Sequence, residues 1–177
     1  LREIELEEMI KDALANDNFY LVYQPQHYIE GKKLRGFESL IRMRGIDGKP
    51  VSPAEFIPVA EKGDLILQID YYVLNRALTE FKESYLKADD HMYLSVNISA
   101  KNAASSNFVE QLESLLKRTG SPADKLEIEI TEYCLLQSLD QTISNIEQLK
   151  KLGVMVALDD FGTGYTYLSY LAKMPIH

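Results

Sequence analysis

Polar side chains recur where the predicted strands of this chain end. Glu38 lies in the second strand, Asn97 in the third and Glu129 in the fourth, and Asp159 and Asp160 end the fifth. In sheets built from alternating strands and helices, binding sites form at the carboxyl ends of the strands. Carboxylate oxygens together with an amide oxygen suit Mg²⁺, Mn²⁺ or Ca²⁺. The pattern therefore predicts a site for a hard divalent cation.

The adjacent carboxylates of Asp159 and Asp160 indicate which chemistry such a site would do. They can serve two cations, with one carboxylate as a bridge, and paired cations are typical of phosphodiester hydrolysis. Such a pair generates hydroxide, neutralises the phosphate and stabilises the leaving oxygen. Zinc is disfavoured, because no two histidines have a metal-ligand spacing and Cys134 stands alone.

The elements that must position these side chains alternate along the chain. An amphipathic helix is predicted over 4–15. Two strands follow, over 19–29 and up to about Arg44, and they are close enough in sequence to form an antiparallel hairpin. Pro53 stands where a helix can begin, and a longer helix is predicted over about 68–87.

The second half of the chain repeats one unit. Strands over 92–99, 126–131 and 154–160 each precede a helix, which predicts an α/β fold with a largely parallel sheet. A (β/α)8 barrel needs roughly 200 residues or more, so two interpretations stand: a small open sheet, or about two thirds of a barrel. The abrupt end at His177, directly after a predicted helix, favours the barrel.

Composition excludes several classes of partner and location. Against 27 acidic residues stand 19 Lys and Arg, a net charge of −8, so a nucleic-acid polymer or a membrane surface is not expected as partner. A single cysteine, Cys134, permits no internal disulfide and favours a reducing compartment. No apolar run approaches the roughly 20 residues that cross a bilayer. We expect a cytoplasmic domain, whose parent protein could still be membrane-anchored through upstream segments.

Short motifs follow one another in a fixed order along the chain. They are YQP over 23–25, GFESLIR over 36–42, SPAEFIPVAE over 52–61, SVNIS over 95–99, EITE over 129–132 and LDDFGTGY over 158–165. In this order they resemble the EAL family of bacterial cyclic di-GMP phosphodiesterases. The resemblance covers essentially all 177 residues.

The resemblance implies a fold, a reaction and a set of cofactors. The fold is a modified TIM-type (β/α)8 barrel with an antiparallel early strand, and residues 1–177 would be one EAL domain that lacks its C-terminal strands. The reaction is hydrolysis of cyclic di-GMP to linear pGpG, in bacterial second-messenger signalling. Its cofactors are two Mg²⁺ or Mn²⁺ ions.

By position, the resemblance also assigns the metal ligands. These are Glu38, Asn97, Glu129, Asp159 and Asp160, with Asp159 bridging the two ions. Within this set, the two aspartates and Glu38 would be the catalytic residues.

Substrate contacts follow from the same resemblance. Gln24 and Arg42 would bind the substrate, Arg42 through a phosphate, and Glu132 would stabilise the DDFG loop. Two positions depart from the family pattern. Ser39 replaces an alanine, a change that we expect to be tolerated, and Met43 replaces a common tryptophan and is expected to alter one wall of the pocket.

Family members continue to a lysine near the nucleophilic water and to a further metal-binding glutamate, which these 177 residues do not contain. We therefore expect an active phosphodiesterase in the complete domain and no activity in this segment alone. The alternative is a non-catalytic cyclic di-GMP receptor, or a regulatory module that docks a partner. The family further implies a homodimer and an upstream GGDEF or sensor domain as partners.

Overall fold

Most of the chain before residue 160 is described by the structure, a computed structural model. Glu132, Asp160 and the predicted loop and helix over 161–177 lie outside the described residues. Within the described part, no helix combines the length and the apolar character needed to span a membrane. The described residues are 2–87, 89–131, 133–134 and 138–159.

The described strands form one mixed sheet. They are β1 Phe19–His27, β2 Leu34–Arg44, β3 Pro50–Val51, β4 Tyr93–Asn97, β5 Leu126–Thr131 and β6 Met155–Asp159. Their order is β1-β2-β4-β5-β6, and β3 pairs with the end of β2. The predicted antiparallel hairpin is confirmed as β1 and β2, and β2, β4, β5 and β6 run parallel. The short β3 lies in a segment that the sequence predicts as a loop.

Helices cover one face of this sheet. Their ranges are α1 Arg2–Asn16, α2 Pro53–Lys62, α3 Leu65–Glu80, α4 Ala100–Ala103, α5 Phe108–Thr119 and α6 Leu139–Leu152. A π-helical segment, Phe81–Leu86, continues α3, and α1, α2 and α3 pack on one another and on β2. The sequence predicts α3 as one uninterrupted helix from 68, whereas it begins three residues earlier and changes its hydrogen-bond pattern at Phe81.

Local residues set the ends of several helices where the sequence predicts them. Pro53 occupies the first turn of α2, where its missing N–H has no intrahelical partner to lose. Gly120 ends α5 and Gly153 ends α6, both in the left-handed region, with φ of 64° and 91°. A side chain is strained in that region, whereas glycine is not.

The two faces of the sheet have opposite character, and β5 shows why. Leu126, Ile128 and Ile130 are buried against the helices, whereas Glu127 and Glu129 alternate with them on the other face. Fully burying each apolar side chain contributes roughly 1.5–3 kcal/mol. A shift of register by one residue would bury the two glutamates instead, so the alternation fixes the register. The polar face of the sheet is therefore the face on which a site can form.

Candidate active site

Predicted metal ligands from adjacent strands meet on the polar face. Glu38 of β2 pairs with Ser95 of β4, and Asn97 lies two residues after Ser95 on the same face. Asn97 in turn pairs with Glu129 of β5. Asn97 donates a hydrogen bond from Nδ2 to Oε1 of Glu38 over 2.7 Å. This bond leaves the amide oxygen of Asn97 available as a ligand.

The carboxylate of Glu129 lies in an unfavourable electrostatic environment. Burial raises its pKa to about 7, and the negative charge of Glu38 adds to the increase. A hydrogen bond from Nε2 of Gln26 to Oε1, 3.2 Å long, acts in the opposite direction. The oxygens of Glu38, Asn97 and Glu129 form a ligand set that a divalent cation fits, because its charge would balance the two neighbouring carboxylates.

Asp159 is the last residue of β6 and is exposed. It pairs with Thr131 at the end of β5, two residues beyond the pairing of Glu129 with Ala157, so it shares the polar face with Glu129. The predicted ligand Asp160 and the predicted loop-stabilising residue Glu132 fall outside the described residues.

The two predicted substrate contacts flank this ligand set. Gln24 of β1 pairs directly with Glu38 and is exposed on the same face. Arg42 lies near the carboxyl end of β2, half-buried, and donates from Nη1 to the carbonyl oxygen of Ile41 over 2.8 Å. A pocket of about 250 Å³ is lined by Arg42 together with Asn97 and Glu129. The pocket therefore joins a guanidinium group to two of the predicted metal ligands.

The two departures from the family pattern lie on the helix-facing side of β2. Ser39 is buried and donates from Oγ to the carbonyl oxygen of Ser95 over 3.2 Å. Met43 is fully buried in the core and pairs with Phe19. Met43 is not among the residues that line this pocket, whereas Ser39 and Ile41, on the same side of β2, are.

Sequence reasoning missed four polar residues on the same face of the sheet, further from the carboxyl ends of the strands. We call them the polar floor: Gln26, Arg35, Ser95 and Glu127. Arg35 donates to both carboxylate oxygens of Glu127, over 2.9 and 2.7 Å, and to Oε1 of Gln26 over 3.1 Å. The alternation in LEIEIT was the available signal for Glu127, whereas nothing in the sequence marked Gln26 and Arg35 as neighbours.

Asp70 is a further residue that the sequence did not single out. It lies on α3, 5% exposed, and lines the same pocket. Its Oδ2 accepts from the Ser99 backbone N–H at 3.2 Å, from the Ser99 hydroxyl at 2.6 Å and from Nδ2 of Asn102 at 3.2 Å. Burial nevertheless raises the pKa of Asp70 to about 7. Asp70 thereby anchors the turn that follows Asn97.

Another acidic group lies on the surface. Asp89, Asp90 and His91 offer ligand atoms within 4.8 Å of one another, and all three residues are exposed. Exposed groups of this kind commonly occur without a cation, and the backbone N–H of His91 already donates to Asp89. We assign no site to them.

Known proteins resemble this chain in sequence and in fold. Residues 7–177 match the family model described as EAL domain. The chain belongs to the EAL domain family. It is 35% identical over 175 residues to the cyclic di-GMP phosphodiesterase NbdA of Pseudomonas aeruginosa, and 34% identical over 175 residues to the signaling protein YkoW of Bacillus subtilis. Each alignment covers 99% of this chain and 22% of the relative, so the chain spans about a fifth of their length.

Solved EAL domains share the fold. The PaMucR phosphodiesterase in complex with c-di-GMP superposes with a TM-score of 0.91 at 31% identity, over 97% of this chain and 70% of that one. The EAL enzyme Bd1971, in a form bound to cAMP and cyclic di-GMP, gives 0.89 at 31% identity over 98% and 48%. EAL domains are TIM-barrel-like, so the predicted fold class is confirmed.

Proposed function

We propose that this EAL domain hydrolyses one phosphodiester bond of cyclic di-GMP and releases linear pGpG. The observation that carries the proposal is the convergence of Glu38, Asn97 and Glu129 at the carboxyl ends of adjacent strands, beside Arg42. Support also comes from relatives named as cyclic di-GMP phosphodiesterases and from an EAL phosphodiesterase solved with c-di-GMP.

The proposed cation site uses oxygen ligands from three parallel strands and from the end of the fourth. Glu38, Asn97, Glu129 and Asp159 would hold the first ion, and Asp159 with Asp160 the second. Mg²⁺ and Mn²⁺ are the proposed ions, because hard cations prefer carboxylate and amide oxygens. When bound, they supply a hydroxide nucleophile at neutral pH and neutralise charge on the phosphate.

Other side chains of this domain would bind and orient the substrate. Arg42 uses one N–H group for the Ile41 carbonyl, which leaves other guanidinium N–H groups for a phosphate oxygen. Gln24 offers an amide donor and acceptor next to Glu38 for the substrate. Glu132 is proposed to hold the loop after β6. Together they would orient the phosphodiester relative to the cation site.

Several properties of the parent protein stay proposals. Relatives that are several times longer support further domains in it, such as an upstream GGDEF or sensor domain. A homodimer and a cytoplasmic location are proposed from the family resemblance and from the lone Cys134.

The decisive experiment separates pGpG from cyclic di-GMP chromatographically after incubation with the complete protein and Mg²⁺ or Mn²⁺. We expect metal-dependent accumulation of pGpG, and none after chelation. A protein that binds cyclic di-GMP with both ions present but forms no pGpG would be a receptor, and the hydrolase proposal would fail.

A further inference from the structure

We propose that Gln26 is a positioning residue for the cation site, that it holds the carboxylate of Glu129, and that Arg35 fixes its amide group for this task. The inference rests on the proposed function, because it takes Glu129 as a metal ligand. It concerns the polar floor, which lies below the ligand set and to which the family resemblance assigns no role.

The contact between Gln26 and Glu129 joins strands that are not neighbours. Gln26 lies on β1 and Glu129 on β5, with β2 and β4 between them. In a flat sheet three strand spacings would separate the two backbones by roughly 14 Å. The amide Nε2 nevertheless lies 3.2 Å from Oε1 of Glu129, because the sheet curves around its polar face. A bond across the concave face fixes Glu129 from the side opposite its own strand.

Arg35, together with Ser95, determines which way the Gln26 amide points, because Oγ of Ser95 also lies 3.1 Å from Oε1 of Gln26. Nη1 of Arg35 donates to Oε1 of Gln26 over 3.1 Å, on the side of the amide away from Glu129. If the amide turned over, its NH₂ group would face the guanidinium and its oxygen would face the carboxylate, two repulsive contacts. The donor is therefore always presented to Glu129.

Arg35 is itself held in place. Its two terminal nitrogens bind both carboxylate oxygens of Glu127, and Ser95 Oγ lies 2.8 Å from one of these oxygens. Bidentate charged pairs of this kind restrict orientation as well as adding energy. Glu127, Arg35, Gln26 and Glu129 thus form a continuous hydrogen-bonded series that ends at the proposed cation site.

The reason such a series matters is electrostatic. Glu129 lies beside the like charges of Glu38 and Glu127, and Nε2 of Gln26 donates to its Oε1 over 3.2 Å. Without this donor the carboxylate would lose one of the hydrogen bonds that orient it beside Glu38, so its oxygens would be less well placed for the cation. Loss of such an outer partner typically weakens metal affinity 10–100-fold.

The test measures cation binding without substrate. Mn²⁺ alone is titrated into the chelator-treated complete protein by calorimetry, for wild type, Gln26→Met and Gln26→Asn. Methionine has similar length but no donor, and asparagine keeps the amide but is too short to reach Glu129. The matched control is Gln111→Met, on the exposed surface of α5. We expect a rise in Kd of about 10–100-fold for both Gln26 variants and no change for the control.

The outcomes separate this inference from the proposed hydrolysis. If both Gln26 variants bind Mn²⁺ with the Kd of wild type, the inference is overturned and the hydrolase proposal is unaffected. The same holds if the variants have a lower melting temperature in chelator but an unchanged Kd for Mn²⁺. If Gln26→Met does not fold, the polar Gln26→Asn decides alone. Weakened Mn²⁺ binding in a protein that makes no pGpG would support the inference while the hydrolase proposal fails. A wild type that binds no Mn²⁺ would overturn both.

Discussion

Asn97 donates from Nδ2 to Oε1 of Glu38 over 2.7 Å, although the two residues are 59 positions apart in the chain. Each side chain thereby orients the other: the amide turns its oxygen away from Glu38, and the carboxylate keeps its second oxygen for another partner. The two proposed ligand atoms are held in place without a cation, which would lower the cost of ordering them on binding.

This pair permits a variant that removes charge while keeping shape. Glu38→Gln retains an oxygen that accepts from Asn97, so we expect the melting temperature in chelator to stay near that of wild type. Hydrolysis of cyclic di-GMP by the complete protein should fall by more than roughly 100-fold. That is the largest loss typical of removing a residue that only hydrogen-bonds a metal ligand, and Glu38 is proposed to be a ligand itself. Glu30→Gln, on an exposed turn, is the control. Near-wild-type pGpG formation by Glu38→Gln would remove Glu38 from the ligand set.

Gly36 is required by close packing between β2 and β4. A Cβ atom at this position would lie 1.9 Å from the carbonyl oxygen of Tyr93, which is backbone and cannot move without separating the strands. We expect Gly36→Ala to lower the free energy of unfolding by more than about 4 kcal/mol. Gly63→Ala is the matched control, because its Cβ would meet nothing within 4 Å. Urea denaturation that gives equal midpoints for the two variants would contradict this account.

Ser39 should be replaceable by the alanine that the family pattern favours. Its hydroxyl donates to the carbonyl oxygen of Ser95, a backbone group of β4 rather than a member of the ligand set. We expect Ser39→Ala to change the free energy of unfolding by about 1 kcal/mol or less, with turnover unchanged. A tenfold loss of pGpG formation would show that Ser39 acts on the site after all.

The sequence predicted the elements that its own local chemistry determines. Pro53, Gly120 and Gly153 mark helix ends through backbone conformations that hold in any context. The strand β3 escaped prediction because its two residues have no signal of their own and pair only where β2 extends past β4. In the π-helical segment after α3, Tyr85 packs against Phe81, Phe37 and Tyr23, and contacts with residues as distant as Phe37 and Tyr23 cannot be seen from periodicity.

For the site, the sequence could indicate which residues lie near one another where each stands near the carboxyl end of its own strand. Glu38, Asn97 and Glu129 could be placed together because parallel strands end at one edge of a sheet. The polar floor could not, since the contact between Gln26 and Glu129 depends on the curvature of the sheet and on the register of two strand pairs at once. Asp70 was hidden for a similar reason: an aspartate in a helix is usually solvated, and only the packing of α3 against the turn after β4 buries it.

Asp70 also predicts how stability depends on pH. Its pKa in the folded protein is raised to about 7 by burial, with a smaller contribution from the negative charge of Glu61, whereas an unfolded aspartate titrates near 3.9. Between these values the folded state binds a proton that the unfolded state does not. The free energy of unfolding should therefore fall as pH rises from about 4 to about 7 and level off above, by an amount on the order of 4 kcal/mol.

The variant that isolates this term is Asp70→Asn, followed by urea denaturation in chelator from pH 4.5 to 8.5. Asparagine keeps an oxygen for the Ser99 hydroxyl but carries no charge, so the decline with pH should become shallower. Glu129 titrates in the same range and remains in both proteins, so the difference between the two curves reports Asp70. Asp64→Asn is the control, because Asp64 is exposed and pairs with Lys101 at the surface, and its curve should follow that of wild type. If the curves of Asp70→Asn and wild type ran parallel, Asp70 would be ionised in the folded protein throughout this range, and its three hydrogen bonds would outweigh the cost of burying its charge.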